Sequence, residues 1–308
     1  MKCSKCGFEN PESFKFCCQC GAKLEVINKC PNCGSTFPSY GIFCPECGTR
    51  VRGVEPIDAG NASKIDACPT DLEFVVGSCR FKMIKVEGGT FTMGATEEQG
   101  DDVIDRERPA HQVTLTDDYY IGQTEVTQAL WKAVMGWNHS EFTGDNLPVE
   151  NVSWDDCQTF IEKLNNLLSK ELGGKHFTLP TEAQWEFAAR GGTKSKGYKY
   201  AGSNNIDDVA WYFWNSSDKP HPVAQKQPNE LGLYDMSGNV AEWCQDWYGC
   251  YSSVAQTNPQ GSAFGLDRVS RGGEWRSHYA KYCRVSTRLT NSPDNHFNYL
   301  GLRLCLIP

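Results

Sequence analysis

Eight cysteines near the start of the chain fall into a repeated pattern. Cys3 and Cys6 form one Cys-x2-Cys knuckle, and Cys17 and Cys20 form a second ten residues later. Cys30 and Cys33, then Cys44 and Cys47, repeat that spacing. Gly follows Cys6, Cys20, Cys33 and Cys47, and Phe16 and Phe43 precede the second knuckle of each set. Two tight knuckles supply the four soft thiolates that zinc binds in a tetrahedron. A glycine after each knuckle permits the positive φ needed where the backbone folds back around the ion. Such units are too small to fold on a hydrophobic core, so metal binding would supply their folding free energy. Two structural zinc ions are therefore expected. Cys18 breaks the pattern and reads as a spare thiol. Basic and acidic residues are nearly balanced here, which favours a structural or protein-docking role over DNA binding.

A second group of donors is harder in character. Asp235-Met-Ser-Gly238-Asn-Val240-Ala-Glu242 places two carboxylates around a Gly-Asn turn whose carbonyls can point inward. Oxygen donors of this kind suit calcium rather than zinc. The same residue types also serve simply to satisfy turn backbone.

The chain has 308 residues and a net charge of −8, more than one average domain. That charge argues against broad nucleic-acid binding, which needs a basic field. Met1 is followed at once by Cys3 and Cys6, without a basic and apolar leader. No apolar run is long enough to span a bilayer. These features point to the cytoplasm, while leaving surface or phage-associated display open.

The elements that must position these groups divide the chain into three. Residues 1–48 carry the zinc ribbons. Residues 49–71 form a linker whose Gly53, Pro56, Gly60, Asn61 and Ser63 leave no apolar period. Residues 72–308 form one large α+β domain with much irregular backbone. Within it, Phe74-Val-Val-Gly-Ser and Phe81 to Val86 predict a hairpin, and Phe91-Thr-Met-Gly and Val113-Thr-Leu predict further strands. A short helix is expected from Thr124 to Met135, with Val126, Leu130, Ala133 and Val134 on one side. A longer helix is expected from Ser153 to Leu172. Ser153 and Asp156 form its capping box, and Trp154, Cys157, Phe160, Ile161, Leu164 and Leu168 its apolar stripe. Thr181 and Gln184 cap a third, with Trp185 and Ala188 inward.

Gly88-Gly-Thr-Phe-Thr-Met-Gly, Glu107-Arg-Pro-Ala-His, Pro148-Val-Glu-Asn-Val-Ser-Trp, Leu179-Pro-Thr-Glu-Ala-Gln-Trp-Glu-Phe and Gly232-Leu-Tyr-Asp-Met-Ser-Gly-Asn-Val-Ala-Glu-Trp occur in order. Together they resemble the formylglycine-generating enzyme (sulfatase-modifying factor) family over about residues 81–306. The resemblance implies that family's enlarged C-type-lectin-like fold. It also implies one calcium site, held by the side chains of Asp235 and Glu242 and the carbonyls of Gly238 and Val240. A second calcium site of some relatives would fall near Asp208 and Val209, but lacks its acidic-Gly-aromatic partner downstream. The enzymes of the family need two cysteines five positions apart, whose thiolates bind copper. The first of these falls on Ser277, and Cys283 is the only later candidate nearby. A hydroxyl cannot replace a soft thiolate, so copper is not expected. Cys157, Cys244, Cys283 and Cys305 read as small buried hydrophobes.

The C-terminal stretch is similar to the variable proteins of diversity-generating retroelements, which use this same fold. Their fixed frame is present as Arg271-Gly-Gly-Glu-Trp275, Cys283-Arg-Val-Ser-Thr-Arg288, Pro293-Asp-Asn295 and Gly301-Leu-Arg-Leu304. Between these pieces, within a variable region of about 271–304, lie Arg276, Ser277, His278, Tyr279, Tyr282, Thr287, Leu289, Thr290, Asn291, Ser292, His296, Phe297, Asn298 and Tyr299. Each type is one that adenine-directed copying of an Asn-type codon can produce. Tyr, His, Ser, Asn and Arg also make good paratopes, because rings give area at low entropy cost and short polar groups adapt. Trp275, Val285, Leu302 and Leu304 are the core candidates. The expected function is therefore a non-catalytic binding module for a protein or other macromolecular ligand. The alternative is an oxidase of the formylglycine-generating type acting on a protein cysteine.

Overall fold

A computed structural model describes Lys5 and Cys6, the strands β1 (Ile27–Lys29) and β2 (Thr36–Pro38), and residues 71–308. β1 and β2 pair antiparallel. Of the zinc-ribbon cysteines only Cys6 falls among the described residues; the others and the linker lie outside them. The chain divides into two compact units, 1–70 and 71–308.

In the second unit the hairpin forms as the alternation dictates. β3 (Leu72–Val76) and β4 (Cys79–Val86) pair antiparallel around Gly77-Ser78. Phe74 and Val76 turn inward while Val75 stays exposed. β5 (Gly89–Met93) and β6 (His111–Leu115) make the next pair, and β7 (Tyr119–Gly122) returns beside β4. Then follow α1 (Gln128–Met135), α2 (Trp154–Leu167), β8 (His176–Thr178), α3 (Glu182–Ala189) and α4 (Ile206–Val209). The last elements are β9 (Ala241–Trp247), β10 (Gln256–Thr257), β11 (Arg268–Arg271), β12 (Arg288–Asn291), β13 (Leu300–Gly301) and β14 (Cys305–Ile307). Three sheets result, in the orders β3-β4-β7-β14-β8, β12-β11-β9-β13 and β10-β6-β5. The chain end is thus a central strand: β14 lies between β7 and β8.

The helices start and stop where side chains satisfy the free backbone groups. The Ser153–Asp156 and Thr181–Gln184 capping boxes both form. The first helix begins later than its periodicity suggests. Val126 donates to Leu302 O and accepts from Val149 N, so residues 124–127 serve as an extended bridge and Thr127 is the cap. Ala133 is exposed, and Trp131 and Met135 take the inward positions instead. The second helix stops at Leu167, though Leu168 and Leu172 remain buried in the turns that follow.

One core packs α1 and α2 on the five-stranded sheet, with Trp131 stacked on Phe160 at 4.8 Å. A second packs Trp185, Phe187 and Ala188 of α3 against Val86, Val113, Ile121 and Val269. Burying each such large side chain contributes roughly 1.5–3 kcal/mol. Cys157, Cys244, Cys283 and Cys305 are all fully buried, as are Val285 and Leu302, with Trp275 and Leu304 nearly so.

Candidate functional site

The C-terminal stretch runs down β11, turns at Gly272-Gly273, climbs through an irregular loop and a short 3-10 turn (Ala280–Cys283), and returns as β12. Gly273 has φ +74, and a Cβ there would sit 2.6 Å from Tyr282 O. Only glycine lets the two arms of the loop approach this closely.

Four arginines of this stretch are buried, each against a carboxylate from elsewhere in the chain. Arg271 pairs with Glu186 and, at 3.0 Å, with Glu182. It also donates to Val285 O and Thr287 O at 3.0 and 2.8 Å, tying β11 to the returning arm. Arg284 grips both oxygens of Glu107 at 2.6 and 2.9 Å. Arg288 grips both oxygens of Glu182 at 2.6 and 2.7 Å. Arg303 pairs with Glu242 and donates to Gly122 O and Tyr234 O at 2.8 Å. Bidentate pairs fix orientation as well as charge. Burial pushes the Glu182 carboxyl upward, but the charges of Arg288 and Arg271 outweigh it and hold the group below its usual range.

Around this frame the fourteen interleaved positions divide sharply. Arg276, His278, Tyr279 and His296 are exposed, and Tyr282, Leu289, Thr290, Asn291, Ser292, Phe297, Asn298 and Tyr299 are half-buried. Ser277 and Thr287 are buried, which corrects their expected place on the surface. Thr287 donates to Lys281 O at 2.6 Å, and Ser277 Oγ accepts from Glu274 N at 3.2 Å. Both hydroxyls close local turns. Leu289, Phe297 and Tyr299 each rest one side on the core beside α2. Of the frame, Pro293-Asp-Asn295 is also not buried.

Two cavities open on this face, of about 590 and 440 Å3, and Glu274, Ser277 and Tyr282 line both. Ile104, Asp105, Arg106 and Leu289 complete the first; Phe213, Asp218, Arg276, His278 and Tyr279 wall the second. Phe213 stacks on His278 at 3.7 Å, and the exposed Trp214 donates its indole N–H to His278 O at 3.1 Å. Phe213 N donates to Ser277 O at 3.3 Å. The last two contacts are to main chain, so they do not depend on the side chains at 277 and 278. Arg276 lies over the Tyr299 ring at 4.4 Å, and Phe297 stacks on Tyr299 at 4.9 Å. His296 and Asn298 reach Asp156 and Glu141, each at 3.0 Å. Burial pushes the Glu274 carboxyl up to about 7 against the opposing Arg276 N–H and charge. Sequence reasoning missed Phe213, Trp214, Asp218, Glu274 and residues 104–106. The aromatic run Trp211-Tyr-Phe-Trp214 was the one available signal.

Ser277 lies against the Cys283 thiol, which burial pushes up to about 12. A thiol so disfavoured as thiolate is a poor nucleophile and metal ligand.

The Asp235–Glu242 segment meets Glu125 and Arg303 inside the protein. Gly238 is forced to be glycine, since a Cβ would lie 2.3 Å from Trp211 O. Asp235 Oδ2 accepts from Ala224 N at 2.7 Å, while its buried Oδ1 has no partner. Glu242 is differently placed: Arg303 takes both its oxygens, and Trp185 Nε1 donates to one at 2.6 Å. Among the described residues no group of three or more His, Cys, Asp or Glu is arranged to hold a metal. Asp235 thus fits a cation, whereas Glu242 would have to share its oxygens with Arg303. Three buried carboxyls, Glu125, Asp235 and Glu242, face this one arginine. Burial pushes Asp235 up to about 6; burial and the charges of Asp235 and Glu242 push Glu125 well up. Near the expected second site, Asp208 is taken up by Ser203 and Asn205, at 2.9 and 3.0 Å.

Residues 78–306 match the sulfatase-modifying factor enzyme 1-like domain. The chain belongs to that family. Residues 3–48 match the double zinc ribbon, a zinc-binding unit, so this family member carries one in front of its main domain. The family domain is 34% identical over 258 residues to Chaperone protein LppX of Paenibacillus barcinonensis, spanning 69% of this chain and 84% of that protein. It is 28% identical over 292 residues to the formylglycine-generating enzyme of Mus musculus, spanning 72% and 74%. Among solved structures it is similar to Treponema denticola variable protein 1, with a TM-score of 0.70 and 35% identity over 78% of this chain and all of that one. Relatives of this sulfatase-modifying factor domain therefore include both an enzyme and a variable protein.

Proposed function

We propose that the chain is a non-catalytic binding protein whose C-terminal face is diversified by a retroelement and recognises a protein or other macromolecule. The supporting observation is the separation of roles along one segment. Buried arginines clamp the fixed pieces to distant carboxylates, while twelve of the fourteen interleaved side chains are exposed or half-buried, five of them lining two cavities. The exposed Arg276, His278, Tyr279 and His296 can change without disturbing a buried partner. Half-buried Phe213 and exposed Trp214 add aromatic surface beside these positions, and aromatic anchors are common hot spots of protein interfaces. The similarity to a variable protein agrees with this reading. Calcium enters as a brace beneath the face: an ion at Asp235, with the Gly238 and Val240 carbonyls and a shared oxygen of Glu242, would neutralise a cluster rich in buried carboxyls. The zinc ribbons, with one ion per set of four cysteines, serve as a protein-docking unit.

The direct test is the surrounding DNA. A reverse transcriptase gene and a near-copy of the 271–304 coding sequence, differing at adenines, are expected beside the gene. Formation of an aldehyde on a sulfatase peptide with copper present would instead establish the oxidase reading. Against that reading stands the single buried thiol, Cys283, with Ser277 where a second would be needed.

A further inference from the structure

A third cavity, of about 270 Å3, lies under the segment 249–262 and shares no lining residue with the two on the variable face. Asp246, at the end of β9, is one of its walls and is only 3% exposed. Its Oδ2 accepts from Glu182 N at 2.9 Å, at the start of α3. Its Oδ1 makes no hydrogen bond among the described residues. Gly261, at φ +74, packs closely on this side chain: a Cβ there would sit 2.6 Å from Asp246 Cβ and 2.9 Å from Oδ1. A side chain at 261 would press on Asp246 and crowd Oδ1. His111, 4% exposed, lines the same cavity. Its Nδ1 lies 3.1 Å from Pro109 O, which assigns the proton to Nδ1 and leaves Nε2 an acceptor with no partner among the described residues.

Arg288 also lines this cavity, and its charge and that of Arg271 act on Asp246 without an ion pair to it. Glu182 is paired with Arg271 and Arg288, and Glu186 with Arg271 and Arg190. Asp246 forms no ion pair among the described residues. Burial, and next the charge of Glu182, push its carboxyl up to about 7 against the hydrogen bond from Glu182 N and the charges of Arg288 and Arg271. A buried carboxylate with no countercharge in contact is costly, and a bound cation lowers that cost. Met93, Ala183 and Pro259 give part of the remaining wall an apolar surface, beside the polar Gln256, Ser262 and Arg288. The volume is below that of a drug-sized site. Two free acceptors, a carboxylate without an ion pair and a short stretch of apolar surface define the occupant.

We propose that this cavity binds an ammonium group carrying a short alkyl chain, with Asp246 Oδ1 as its counter-ion and His111 Nε2 as a second acceptor. The site is separate from the diversified face, so it stands or falls independently of the binding function proposed above. The group can come from a free amine or from a lysine side chain of a polypeptide.

The test is calorimetric titration of the full chain at pH 8 with n-butylamine, with Nα-acetyl-lysine N-methylamide, and with n-butanol as the uncharged control. n-Butylamine is expected to bind and n-butanol not. Binding of the lysine derivative as well would assign a polypeptide source; its failure would assign a free amine. Asp246→Asn is expected to weaken n-butylamine binding by about tenfold or more, the loss of one buried charge-assisted contact. If that variant does not fold, the carboxyl-carbon resonance of Asp246 in the unaltered protein gives the same answer. It should move to its ionised position at lower pH when n-butylamine is present. Equal binding of n-butanol, undiminished binding to Asp246→Asn, or an Asp246 resonance indifferent to the amine would overturn the proposal.

Discussion

Arg284 and Glu107 meet across 177 positions of sequence, with two guanidinium nitrogens on two carboxylate oxygens and both side chains fully buried. Ser286 donates to the same carboxylate, and Arg284 also holds Asp102 O. The loop that carries Tyr279 and Tyr282 is thereby anchored to a segment near the front of the domain. Removing one partner of a buried pair leaves the other charge uncompensated. Glu107→Ala is therefore expected to destabilise the domain by about 3–5 kcal/mol. Urea denaturation measures it. The double variant Glu107→Ala, Arg284→Met should recover part of that loss, and a double variant no better than the single would refute the explanation.

Substitutions on the face should behave oppositely. Alanine at Arg276, His278 or Tyr279, all exposed, is expected to change stability by no more than about 0.5 kcal/mol. Thr287→Val removes the donor to Lys281 O inside the protein and should cost about 1–3 kcal/mol. Thermal melts of the four variants decide whether position 287 belongs with the frame, as its burial implies.

Stability should fall as pH rises through neutrality. Glu150, Asp246 and Glu274 are each pushed up to about 7, burial being the first cause in every case. A carboxyl raised in the folded state favours the protonated form there. Its contribution is complete below the unfolded value, about 4, and is lost as pH climbs through 7. Glu98, Asp118 and Glu182 are lowered and act in the opposite sense, below the usual carboxylate range. The melting temperature is expected to be higher at pH 5.5 than at pH 8, with a smaller difference in Asp246→Asn. A flat profile between those values would contradict the assignment.

Calcium should raise the melting temperature relative to a chelator, and the rise should vanish in Asp235→Asn. In the chelator, that variant is expected to melt higher than the unaltered chain, because it removes one of three buried carboxyls that share a single arginine. A calcium response that survives the substitution would remove Asp235 from the site.

Zinc should be retained by the purified protein with one ion per set of four cysteines. Cys30→Ser is expected to remove the ion of its own set and leave the other, because a structural site needs all four ligands. Metal analysis by plasma emission reads this directly.

The sequence by itself determined whatever is written locally. Cysteine spacing identified the ribbons; capping residues at Ser153 and Thr181 set the starts of two helices. Alternation set the Phe74 and Phe81 hairpin, and the ordered motifs carried the family and its fold. The frame of the C-terminal face was legible for the same reason, since its glycines and arginines recur in fixed words. Tertiary structure alone decided which carboxylate each arginine meets, because Glu107, Glu182 and Glu242 are remote in sequence from Arg284, Arg288 and Arg303. It also turned residues 124–127 into a bridge to Leu302, withdrew Ser277 and Thr287 from the surface, and brought Phe213, Trp214 and Glu274 to the face. The physical reason is common to all of these. Burial and long-range pairing depend on where the chain crosses itself, and local periodicity holds no record of that crossing.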